Sequence, residues 1–136
     1  FVAALATLQK MKKNKTQNQM VKFGKKIKNG WLEIAKNNNI KLRVDGIITQ
    51  LHAHFEYDNS LAIDTLFTQE MLERGYLAGT QIYVTYSYTD KIIDNYLKSI
   101  NEVFKIIKEG IDNNNIENLL KNKPRDPNFA RLTGGD

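Results

Sequence analysis

Residues 40–57 read IKLRVDGIITQLHAHFEY, and the alternation along this stretch decides the fold class. Ile40, Leu42 and Val44 take one side of an extended chain, while Lys41 and Arg43 take the other. Successive side chains on a strand point to opposite faces, so residues 40–44 read as a half-buried strand. Asp45-Gly46 is a turn dipeptide. A longer strand is expected over 47–57. Its odd positions, Thr49, Leu51, Ala53, Phe55 and Tyr57, are mainly apolar, and its even positions, Gln50, His52, His54 and Glu56, are polar.

Upstream of this pair the period changes to that of a helix. Val2, Leu5, Leu8 and Met11 are spaced three apart and predict a helix over 2–13, with Asn14 and Thr16 placed to end it and cap the next. Met20, Phe23, Ile27, Trp31 and Ile34 then form a single apolar stripe, with Lys22, Lys25, Lys26 and Lys28 lying off it. Gly24 and Gly30 weaken this second helix but let a neighbour come close. The run Asn37-Asn38-Asn39 stops it.

Downstream, Asp58, Asn59 and Ser60 supply capping chemistry for a helix over 61–74, and Gly75 is placed to end it. Residues 76–78 read as a short strand, with Gly79-Thr80 as a turn. Gln81 to Tyr88 is rich in β-branched and aromatic residues and reads as a third strand. Thr89 is placed to cap a long helix whose buried face is Ile93, Tyr96, Leu97, Ile100, Val103, Phe104 and Ile107, with Gly110 ending it. A short helix is expected around Ile116, Leu119 and Leu120. Pro124 and Pro127 open a polar tail, so residues 1–122 are taken as one domain and 123–136 as its tail. The order predicts an α+β domain: a small, mostly antiparallel sheet of three to four strands with helices packed on one face.

The chain has 136 residues, enough for one core without staples, and it has no cysteine, which excludes disulfides and thiolate zinc sites. No apolar run approaches the roughly 20 residues that span a bilayer. Residues 1–9 lack the basic flank and cleavage pattern of a signal peptide. A cytoplasmic protein is the simplest reading, and Phe1 reads as a point inside a longer polypeptide. The net charge of +5 is uneven: ten lysines against Glu33 in residues 1–41, then an acidic excess. One interpretation is a basic module for RNA or an acidic partner, using the lysines of residues 10–28. Those lysines are not interleaved with the tyrosines, which cluster over 76–96, so no stacking platform for bases is formed.

His52-x-His54-x-Glu56 is the most chemically suggestive constellation, because alternation puts all three on one face. Ligand-type residues on a single strand lack a converging partner, so no metal is expected. No nucleophile–base set and no Gly-rich phosphate loop is recognisable, and Gly134-Gly135 lies in the tail. Catalytic residues are therefore expected to be absent. Glu70 and Arg74, four apart, are expected to pair along a helix.

Taken together, FVAALATLQKM (1–11), LRVDGIITQLHAHFEY (42–57), LFTQEMLERGYLAGTQIYVTYSYTDKIIDNYL (66–97) and FARLT (129–133) resemble the small C-terminal domain of class III pyridoxal-phosphate aminotransferases. The branch is the glutamate-1-semialdehyde aminotransferase-like one. The resemblance implies a homodimeric parent enzyme. A large domain, absent from this chain, holds the cofactor on a lysine and pairs a carboxylate with its pyridinium nitrogen. This chain would then shape the substrate cleft and dimer interface, bind no cofactor by itself and be inactive in isolation. Gln81 and Tyr83, after the glycine-containing turn, become the substrate-side candidates. His52 and His54 become candidates for the interface between domains. Two positions depart from the pattern. Tyr88 stands where relatives often have His before the helix-capping Thr89. Thr80-Gln81-Ile82-Tyr83 lacks the Glu of the semialdehyde mutases, which favours a related aminotransferase.

Overall fold

The computed structural model describes residues 1–124. Two helices come first, α1 (Val2–Asn14) and α2 (Thr16–Asn37), followed by strands β1 (Leu42–Ile47) and β2 (Gln50–Phe55). Helix α3 (Ser60–Glu73), strand β3 (Gln81–Tyr83), helix α4 (Asp90–Asp112) and a 3₁₀ turn at Ile116–Leu119 complete the order. The sheet runs β1-β2-β3 with both pairs antiparallel, so the fold is α+β with a small antiparallel sheet.

The amphipathic stripes do what their spacing requires. On α2, Phe23, Ile27, Trp31 and Ala35 are buried, and on α4 the buried set is Ile93, Tyr96, Ile100, Val103, Phe104, Ile107 and Gly110. Helices α2 and α3 lie against the sheet, and α4 packs along both of them. Val44, Leu51, Ala53 and Phe55 face this layer and are buried. Phe55, Phe67 and Phe104 join β2, α3 and α4 in an aromatic cluster with ring centroids 5.6 to 6.2 Å apart. Thr89 caps α4 by accepting a hydrogen bond from the Ile92 amide at 3.2 Å. Gly75, at φ +82°, ends α3, where the Tyr76 amide donates to the Met71 carbonyl and the Gly75 amide to that of Leu72.

Five local expectations are corrected. Asp45 and Gly46 do not turn the chain. They lie within β1, and the turn is at Ile48-Thr49. Gly46 takes φ +91° there, and a Cβ would fall 2.3 Å from the Gln50 carbonyl oxygen. Its conformational freedom therefore serves the strand end. Residues 76–78 form no strand. β3 stops at Tyr83, because its partner β2 begins at Gln50 and offers no residue to pair with 85–88. Gly110 does not end α4, which continues to Asp112. Gly110 is instead buried beneath Ile116 and Leu119. Thr16 caps nothing: its hydroxyl is buried without a partner, and the break between α1 and α2 is made by Lys15 in a left-handed conformation at φ 49°. The tail from residue 125 on, with Pro127, FARLT and Gly134-Gly135, lies outside the described residues.

Helix α1 differs from the others because none of its residues is buried. Val2, Leu5, Leu8 and Met11, the stripe expected to pack, are exposed.

Candidate functional site

Because one face of the sheet is covered by helices, strand alternation sends every second side chain to the other face. The register sets the neighbours: Arg43 opposite His54, Asp45 opposite His52, Gln50 opposite Tyr83, and His52 opposite Gln81. The four residues singled out from the sequence, His52, His54, Gln81 and Tyr83, thus share one open face. Gln81 and Tyr83 are exposed there, and the two histidines are half-buried.

The polar groups of this face are linked. His54 Nε2 lies 3.2 Å from Asp45 Oδ1, and Arg43 pairs with the other Asp45 oxygen. Arg43 also reaches Glu56 at 3.5 Å. The His54 hydrogen bond, followed by that of Arg43, holds the Asp45 carboxyl below the usual carboxylate range. The His52 and His54 rings lie 6.3 Å apart. Gln50 Nε2 donates to the Tyr83 hydroxyl at 3.1 Å. Of the three residues of the His-x-His-x-Glu run, the structure brings the two histidines together and turns Glu56 toward Arg43. Asp45 is the member that sequence reasoning missed. The available signal was the hairpin register: once Ile48-Thr49 is taken as the turn, Asp45 falls opposite His52.

At the edge of the sheet a cleft of about 310 Å³ opens between β3, the 76–78 segment and the start of α4. Tyr76, Tyr83 and Tyr88 line it above Ile27, Ile93 and Tyr96, and Gln81 stands on its rim. Tyr96 packs edge-on against Tyr76 at 5.7 Å, and burial pushes its phenol well above the ordinary range. The cleft is mainly aromatic, so it suits an apolar or planar group better than a small anion.

Two of the lysines in residues 10–28 are engaged by acidic side chains of α4. Lys22 and Lys26 both pair with Asp90, at 3.1 and 2.8 Å, and Lys26 also pairs with Asp94 at 2.7 Å. Glu70 and Arg74 pair along α3 at 2.9 Å. A lysine that holds pyridoxal phosphate must be desolvated and have a lowered pKa. None of the lysines among the described residues is buried. Lys26 is raised, first by its hydrogen bond to Asp90, and Lys121 is raised, first by Glu73. These residues do not fit a covalent anchor for that cofactor. No helix among the described residues is long and apolar enough to cross a membrane.

No family model matches the chain. The chain is similar to a glutamate-1-semialdehyde 2,1-aminomutase of Clostridium kluyveri, with 30% identity over 117 aligned residues. That alignment covers 74% of this chain and 28% of the relative, so the chain spans little more than a quarter of the length of the protein it matches.

Proposed function

We propose that this chain is the C-terminal small domain of a pyridoxal-phosphate-dependent class III aminotransferase of the glutamate-1-semialdehyde aminotransferase-like branch. Its part is to shape the substrate cleft and the dimer interface, and it does no catalysis alone. The observation that carries this reading is the 30% identity to an aminomutase of which the chain spans only 28%. The surface supports it. His52 and His54 lie half-buried on the sheet face that the helices leave open, where a large domain packed over them would offer partners to their ring nitrogens. Gln81 and Tyr83, at the rim of the aromatic cleft, face the substrate. The exposed stripe of α1 is apolar surface of the kind that a second domain covers. In this reading the cofactor belongs to that second domain, which the solvent exposure of the described lysines supports, and the working enzyme is a cytoplasmic homodimer.

Borohydride reduction of the intact parent protein tests this. The reduced cofactor becomes fixed to its lysine, and peptide mapping locates it. The expected position is outside residues 1–136. A pyridoxyl group on any lysine of this chain refutes the proposal, as does a visible cofactor band that survives buffer exchange when pyridoxal phosphate is added to the chain alone. RNA binding that saturates and weakens steeply with salt would favour the basic-module reading instead.

A further inference from the structure

We propose that Asp45, His52 and His54 form a binding site for a divalent transition-metal ion with the coordination preferences of zinc. The site goes beyond the domain assignment and does not depend on it. One ligand atom from each of the three residues lies within 4.8 Å of the others. Two come from β2, separated by one residue on the same face, and the third stands directly across the ladder on β1. The converging partner that a single strand cannot supply is therefore present.

The geometry is close to that of an occupied site. Zinc bonds to imidazole nitrogen and carboxylate oxygen at about 2.0–2.2 Å, which places tetrahedral neighbours roughly 3.3–3.6 Å apart. Asp45 Oδ1 and His54 Nε2 are already 3.2 Å apart. His52 offers a ring nitrogen within 4.8 Å of both of these atoms. Arg43 holds the second Asp45 oxygen, which leaves Oδ1 as a single ligand atom and fixes the carboxylate from behind. An ion entering the site replaces the His54–Asp45 hydrogen bond and leaves the Arg43 pair in place.

Two imidazoles and one carboxylate give three protein ligands. The fourth position points away from the helix layer, on the face that this chain leaves uncovered. A site of this form takes a water, or a donor from whatever covers the face. The ligand chemistry favours zinc, cobalt, nickel or copper over magnesium or calcium, which require oxygen-rich shells.

The test uses the whole chain without any affinity tag. Zinc chloride is titrated calorimetrically near neutral pH, and cobalt chloride is followed by its visible spectrum. The expected result is one ion per chain, with cobalt bands of four-coordinate intensity. Asp45→Asn, His52→Gln and His54→Gln are each expected to weaken binding by at least about tenfold, since even loss of an outer partner costs that much. Glu33→Gln, on α2 and outside the cluster, is expected to leave affinity unchanged. Long-range nitrogen–proton NMR of the unsubstituted chain should show one zinc-induced shift on each histidine ring, a readout that does not depend on how the variants fold. Binding that survives all three substitutions, or histidine nitrogens that do not move under excess zinc, overturns the proposal.

Discussion

Gly24→Ala is expected to destabilise the protein, although alanine is a better helix former than glycine. Gly24 lies on α2 where the hairpin turn at Ile48-Thr49 rests against it. A Cβ at this position would lie 1.9 Å from the Ile48 carbonyl oxygen and 2.9 Å from its carbon. Ordinary contact requires the turn to retreat by roughly 1.5 Å, and the obstacle is backbone, which cannot rotate away. Helix propensity favours the change by about 1 kcal/mol, while forcing extra volume into a packed contact costs about 1–3 kcal/mol. Gly30→Ala on the same helix is the internal control. There the new methyl meets the Leu97 side chain, whose nearest terminal carbon is 2.6 Å away and can swing aside. Gly30→Ala therefore keeps most of the propensity gain. The two variants should differ by about 1–3 kcal/mol, or several degrees in Tm for a domain of this size. Urea unfolding with matched m-values measures the difference. Because the turn also sets the height of β1 and β2, amide shifts of Asp45 and His52 should change in Gly24→Ala and not in Gly30→Ala. A Gly24→Ala protein as stable as the Gly30→Ala one would refute the seating of the hairpin on α2.

Phe104→Ala removes the ring shared by Phe55 and Phe67 and is expected to cost about 3–5 kcal/mol, a large part of the stability of a domain this size, as read by chemical denaturation. Thr89→Ala deletes the cap of α4 and should cost about 1 kcal/mol, with Thr89→Ser recovering most of it. Tyr96 has a raised phenol pKa because burial favours its neutral form. Its contribution to stability is therefore complete below the ordinary tyrosine range near pH 10 and is lost as pH climbs above it toward the raised value. Tyrosinate absorbance should show Tyr96 ionising last, together with loss of the far-UV signal. Complete titration of all six tyrosines in a chain that is still folded would contradict this.

Most of the architecture was legible because it rests on periodicity. The stripes of α2 and α4 and the alternation of β2 each state which face is buried, and burial follows. The errors fall where a local signal competes with pairing. Asp45-Gly46 has turn chemistry, yet two strands of equal length close through Ile48-Thr49, and the ladder outweighs the dipeptide. Residues 81–88 have strand composition throughout, but a strand needs a neighbour, and β2 supplies one only as far as Tyr83. The stripe of α1 has the spacing of a buried face and lies exposed, because no element among the described residues packs over it.

The candidate site was half legible for the same reason. Period-two alternation was enough to put His52 and His54 together, and nothing within β2 indicates what stands opposite them. That depends on register, and register depends on where the turn falls. Moving the turn by three residues toward the C-terminus transfers Asp45 from a solvent loop to the rung facing His52. A strand bearing two imidazoles with no acceptor thereby becomes a three-residue polar cluster with its carboxylate held from behind by Arg43. Glu56, which seemed the natural third member, is not one: its carboxylate lies toward the Arg43 guanidinium, 3.5 Å away, and outside the cluster of Asp45, His52 and His54. Charge and ligand type can be read residue by residue, but convergence is a property of the pairing.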